Sequence, residues 1–148
     1  MTQDLLTDIG EEYLIKNGFD GITVTVGVYN DVSDGLSETD DYDGSTGDIT
    51  TEPTNTNYST ASVSLSAADF SGNWGVDNDS QFSFDFSDQS TSENVDTFFV
   101  LYTFQSSDTG DGSPQTHLIA NPAMTQTRDI GSIDTLTVSS GNFEITVN

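Results

Sequence analysis

Ile22, Val24, Val26 and Val28 alternate with Thr23, Thr25, Gly27 and Tyr29, a period of two that predicts a half-buried strand after Gly21. The alternation returns in Ala61, Val63 and Leu65 against Ser62, Ser64 and Ser66, and again in Phe82, Phe84 and Phe86 against Ser83 and Asp85. Residues 95–105 are apolar on both faces and predict a central strand. A short strand is predicted over 117–120, ended by Asn121-Pro122. Residues 133–138 and 142–147 predict a closing hairpin around Ser140-Gly141. Residues 69–78, which carry the only tryptophan, Trp74, and residues 108–114 read as turns.

Before Gly21 the period is helical. Leu5, Leu6, Ile9 and Tyr13 share one stripe and predict a helix over 3–17. Asp4, Asp8, Glu11 and Glu12 lie toward its start and Lys16 near its end, which suits the helix dipole, and Asn17-Gly18 is the expected stop. A helix this short with one apolar stripe must dock, either on its own sheet or on a neighbouring subunit. Residues 30–57 are long and polar and predict an extended acidic surface loop with a brief strand near Ile49.

The expected fold is therefore mainly β: an antiparallel β-sandwich, jelly-roll-like, preceded by one short N-terminal α-helix. Residues 1–20 form the docking or oligomerisation element and 21–148 the sandwich. The expected core is Val24, Val26, Val63, Leu65, Phe82, Phe84, Phe99, Leu101, Leu136, Val138, Phe143 and Ile145.

Charge changes this picture. Against 25 Asp plus Glu the chain has 2 basic residues, Lys16 and Arg128, for a net charge of −23. Such a body repels itself in dilute buffer, and molar salt relieves it by shortening the Debye length from roughly 10 Å at 0.1 M to about 3 Å at 1 M. The composition thus reads as adaptation to brine. The aromatics sit in ordered alternating runs, which argues against disorder, and the acids run from Asp4 to Glu144 without one dominant block. The same field excludes a nucleic-acid backbone and an anionic membrane as partners. There is no cysteine and no basic, apolar leader, so the expectation is synthesis in a host cytoplasm without a signal peptide.

Candidate chemistry is sparse. His117 is the only histidine and falls in a predicted strand; no Gly-x-Ser-x-Gly elbow accompanies the serines. Carboxylate pairs are abundant but sit in polar loops, where nothing raises the pKa of one member. No enzyme is expected. Asp41, Asp43 and Asp48 lie at close spacing among glycines and are candidate oxygen ligands for loosely held Na⁺, K⁺, Mg²⁺ or Ca²⁺, without the spacing of an EF-hand. Asp77-Asn78-Asp79 and the loop from Asp108 to Gly112 are similar in kind. Arg128 has mostly acids to choose among, so a bidentate carboxylate pair is expected, within the chain or across a subunit interface. Tyr58 and Trp74, in polar surroundings, read either as covers of the core or an interface, or as platforms for sugar rings.

Leu5-Leu6-Thr7-Asp8-Ile9-Gly10, Val26-Gly27-Val28-Tyr29-Asn30-Asp31, Ile49-Thr50-Thr51-Glu52-Pro53 and Thr125-Gln126-Thr127-Arg128-Asp129-Ile130 together resemble the small structural proteins in the virion-assembly gene clusters of tailed viruses, here a virus of haloarchaea. In that pattern a strand ends in Gly-Leu-Tyr, an acidic loop follows, and Glu-Pro precedes Tyr-Ala-Arg. This chain has Tyr58-Ser59-Thr60 at the last element, without the arginine. The resemblance implies a virion protein, either a capsid decoration or a vertex turret, that assembles as a homo-oligomer and contacts other virion proteins such as the major capsid protein. Its alternatives are a tail, baseplate or fibre subunit, or a glycan-binding adhesion module. On the first reading Leu5, Leu6, Ile9, Tyr13 and Arg128 would form subunit contacts.

Overall fold

The computed structural model describes residues 8–37, 48–70, 73–109 and 114–146. These form a mainly β fold of antiparallel sheets preceded by one N-terminal helix, as the alternation predicts. The chain divides into two compact units. One comprises residues 1–23, 63–82 and 138–148, the other residues 24–62 and 83–137.

In the first unit, α1 (Asp8–Phe19) precedes the strands β2 (Ala61–Phe70), β3 (Asn73–Asn78) and β9 (Glu144–Thr146). β3 is central, pairing with β2 from Leu65↔Asn78 to Phe70↔Asn73 and with β9 at Val76↔Ile145. The helix runs one turn-fraction past the expected stop. Gly21, not Gly18, takes the left-handed conformation (φ 76°) that turns the chain into the sheet, where its N–H reaches the Leu65 carbonyl at 2.9 Å. Val63, Leu65, Val76, Phe82, Val138, Phe143 and Ile145 are buried, with Phe82 and Phe143 edge to face at 5.6 Å. Asn78 is buried among them and fully engaged: its amide donates to the Ser80 and Ser139 carbonyls and accepts from the Phe143 N–H.

In the second unit, β5 (Asn94–Phe104) is the central strand. On one side it pairs with β1 (Thr23–Tyr29), and on the other with β6 (Gln115–Ala120) and then β7 (Ala123–Asp129). A two-stranded sheet of β4 (Phe82–Asp85) and β8 (Thr135–Val138) completes the strands, with short helices α2 (Asp31–Asp34) and α3 (Ser106–Thr109) and a 3₁₀ turn at Ile130–Ser132 between them. The arrangement is sandwich-like. Phe84, following the alternation of β4, packs at 6.5 Å from Phe98 of β5, and Phe86 lies behind it. The opposite face of the β1–β5 pair holds Tyr29, Phe99 and Leu101, against which Leu36, Ile49 and Leu118 pack.

Four expectations are corrected. Residues 69–78 are not a turn but largely strand, because Val76 and Asn78 find a buried face that the polar sequence hides. Residues 123–129 form a strand that no alternation announces. The strands flanking Ser140-Gly141 do not pair with each other: β8 joins β4 and β9 joins β3. The loop over 30–57 forms no strand at Ile49; its described ends are instead fastened to the second unit and help cover that unit's core. Of the expected core, Leu136 is half-buried and the rest buried.

Candidate functional site

The described carboxylates act chiefly as acceptors for backbone and hydroxyl groups. Asp34 accepts from the Thr50 N–H (3.0 Å) and Oγ1 (2.6 Å) and from the Thr51 N–H (3.1 Å) and Oγ1 (2.8 Å), fixing the far end of the long loop to its start. Asp96, on β5, accepts from the Asp31 and Val32 N–H groups at the start of α2. Asp88 accepts from the Asn55 amide, the Thr56 N–H (2.8 Å) and the Asn57 N–H (3.3 Å), tying two loops together. Asp129 accepts from Ser92 Oγ (2.9 Å) and the Gly131 N–H (3.0 Å). With two basic residues in the chain, N–H and O–H donors replace the cations that most proteins set against their acids.

Hydrogen bonds of this kind depress the pKa values of Asp34, Asp85, Asp88 and Asp129. At Asp88 the Asn55 amide does most of this, at Asp129 the Ser92 hydroxyl, and at Asp85 the Ser87 hydroxyl. At Asp34 burial alone would raise the value, and the Thr50 and Thr51 donors outweigh it. A carboxyl depressed on folding adds stability above its unfolded value, and that stability is lost as pH falls through the folded one. In molar salt the melting temperature should therefore hold down to about pH 4 and fall below it. Asp88→Asn should melt lower than the parent at pH 7 and lose less toward acid, so that the two curves converge. Parallel curves would show that Asp88 contributes nothing by its charge.

A second node lies where the second unit's core meets its loop. The Tyr58 hydroxyl accepts from the Val28 N–H at 3.1 Å, beside the end of β1, and donates to Glu52 at 3.1 Å. Its ring stacks on Phe86 at 5.7 Å, so Tyr58 is a core cover and not an open platform. Val28 of β1, Glu52 and Tyr58 thus meet at one place, and Pro53, next to Glu52 in the chain, is buried. Nearby, the buried Tyr29 hydroxyl donates to Asp31 and accepts from Asn121, and burial pushes its pKa up.

Asp41 and Asp43 lie outside the described residues, and Asp48 is exposed. Among the described residues no group of three or more His, Asp or Glu could hold a metal ion. Asn78, between Asp77 and Asp79, serves the fold as the engaged amide described above. His117 stands opposite Tyr102 on β5 with its ring 6.1 Å from that of Phe104.

Leu5 and Leu6 also lie outside the described residues. Ile9 and Tyr13 are on α1, 68% and 57% exposed, with Leu14 55% exposed beside them. The helix turns a different side to β3: Glu12 accepts from the Trp74 N–H at 3.2 Å, and Lys16 Nζ sits 5.3 Å from the centre of the Trp74 ring. Lys16 thus clamps helix to sheet instead of serving only its helix terminus. Arg128 lies near the end of β7, and within the described chain its partner is an amide and not a carboxylate. Both terminal guanidinium nitrogens lie 2.8 Å from the Gln126 side-chain oxygen once that amide is turned to face them. Comparison with protein-family models, curated proteins and solved structures finds no match to this chain. Among the described residues no helix is long and apolar enough to cross a membrane.

Proposed function

We propose that this chain is a structural protein of the virion of a halophilic tailed virus, capsid-associated as a decoration or turret subunit, and that it assembles as a homo-oligomer. The observation that carries the reading is the outward side of α1. The described large apolar side chains that stay exposed are Ile9, Tyr13, Leu14, Val32 and Trp74, and all but Val32 belong to the first unit. Single exposed apolar residues are ordinary; a group on one helix whose other side is already docked supports a contact surface. In molar salt the repulsion between two such acidic bodies is screened and the apolar contact can dominate. The viral setting rests on the resemblance of the four segments quoted above, and the acid-fastened loops suit a shell protein bathed in brine.

The glycan-binding alternative has less support, because the tryptophan it would use already has an ammonium over its ring. In molar NaCl the protein should sediment as a closed oligomer and be found by mass spectrometry in purified particles. Ile9→Ser with Tyr13→Ser should dissociate the oligomer while leaving the far-UV CD unchanged. A chain that stays monomeric at every salt and protein concentration would sink the proposal.

A further inference from the structure

The β7 arch lies in an acid-free run and carries the only arginine. No Asp or Glu occurs between Asp111 and Asp129, the longest such run in a sequence with 25 acids, and the run ends on the only arginine. It spans β6 and β7, which follow one another along the same side of β5. Between Thr97↔Ala123 and Val95↔Arg128 the ladder advances two residues on β5 and five on β7. Residues 124–127 therefore arch away from the sheet, and Thr125, Gln126 and Thr127 are exposed on the arch.

Arg128 is fastened in an unusual way for such a protein. A neutral amide holds its fork, so the guanidinium is oriented but keeps its full charge, and no carboxylate pairs with it among the described residues. An arginine pre-ordered by a neutral neighbour loses little side-chain entropy when a carboxylate arrives, and its planar donors suit bidentate capture. Any other copy of this chain meets it with an overwhelmingly carboxylate surface.

We infer that the β7 arch, with Arg128 held by Gln126, is a docking surface for a carboxylate-bearing face of a second copy of this chain. This rests on the homo-oligomer reading above. Because the arch complements an acidic surface and not itself, each contact pairs the arch of one copy with a different patch of the next, reciprocally across a two-fold axis or head to tail around a ring.

The test is sedimentation velocity in molar NaCl with hydrogen exchange on the wild-type chain. Arg128→Ala should weaken self-association by about tenfold or more, with an unchanged melting curve of the monomer, and Arg128→Lys should restore it only in part. On the wild type, the amides of residues 124–128 should gain protection as concentration drives assembly, a readout that needs no variant. Arg128→Ala assembling like the wild type, or no gain of protection in the arch, overturns the inference and leaves the oligomer proposal standing if the α1 variants still dissociate it. A wild type that never assembles overturns both.

Discussion

Gly27→Val should cost the second unit roughly 3 kcal/mol or more, a large share of what holds a small domain folded. Glycine inside a strand is ordinarily a weakness, since it packs nothing and loses more entropy than any other residue. Here the missing side chain is the space in which another sits. Gly27 of β1 lies directly opposite Phe99 of β5, and a Cβ placed on it would overlap the ring carbons of Phe99. That ring has nowhere to go: it is fully buried, with Tyr29 at 6.4 Å and Leu36, Ile49 and Leu118 packed against the cluster. The reverse change, Phe99→Ala, should cost about 3–5 kcal/mol through the cavity it leaves. The two positions should be coupled. Gly27→Ala made in a Phe99→Leu background should cost at least about 1 kcal/mol less than in the parent, read from urea midpoints in constant salt. Equal costs in both backgrounds would show that the ring does not lie over the glycine.

Where burial writes a period, the sequence discloses the structure. Val24, Val26 and Val28, or Phe82, Phe84 and Phe86, are apolar at every second residue because one face of each strand meets a core. The two-sided run of 95–105 likewise marks β5, covered on both faces. β3 and β7 were hidden because what makes them strands is pairing and not their own pattern. Asn73–Asn78 contributes little apolar surface beyond Trp74 and Val76, and Ala123–Asp129 is bent out of register by its arch. Turn chemistry misled at Ser140-Gly141: Gly141 does adopt φ 74°, yet the turn is fastened to Asn78, and its flanking strands go to separate sheets. Of the candidate residues, Ile9 and Tyr13 are where a helical stripe with nothing opposite it would put them. The acid clasps left no local mark. Asp88 and the loop at 55–57 are some 30 residues apart, as is Tyr58 from the β1 backbone it serves, and among 25 acids nothing in the spacing singles Asp88 out.

Dilution of salt should unfold this protein. Far-UV CD in molar NaCl should report an ordered β structure, and dialysis below roughly 0.2 M should abolish or sharply weaken it. Two carboxylates 10 Å apart in water repel by about 0.4 kcal/mol before screening. Screening leaves about 0.15 kcal/mol of this at 0.1 M and about 0.02 kcal/mol at 1 M. With 25 acids on a small body making on the order of 30 such pairs, the difference is on the order of 4 kcal/mol, a large share of the stability of a domain. An expanded chain separates the charges and escapes much of it, so the balance tips toward unfolding. The described structure offers no relief through ion pairs, for the two cations are spent on the Trp74 ring and the Gln126 amide. Nor can the fastened acids shed charge at neutral pH, because their hydrogen bonds favour the ionised form. If repulsion is the cause, lowering the pH at low salt should first restore the β signal as the net charge falls, and further acid should lose it again as the clasps protonate. Sucrose, which strengthens burial without screening charge, should rescue far less than an ionic co-solute. Cooperative melting at an unchanged temperature in dilute buffer would show instead that the carboxylates are compensated by something other than salt.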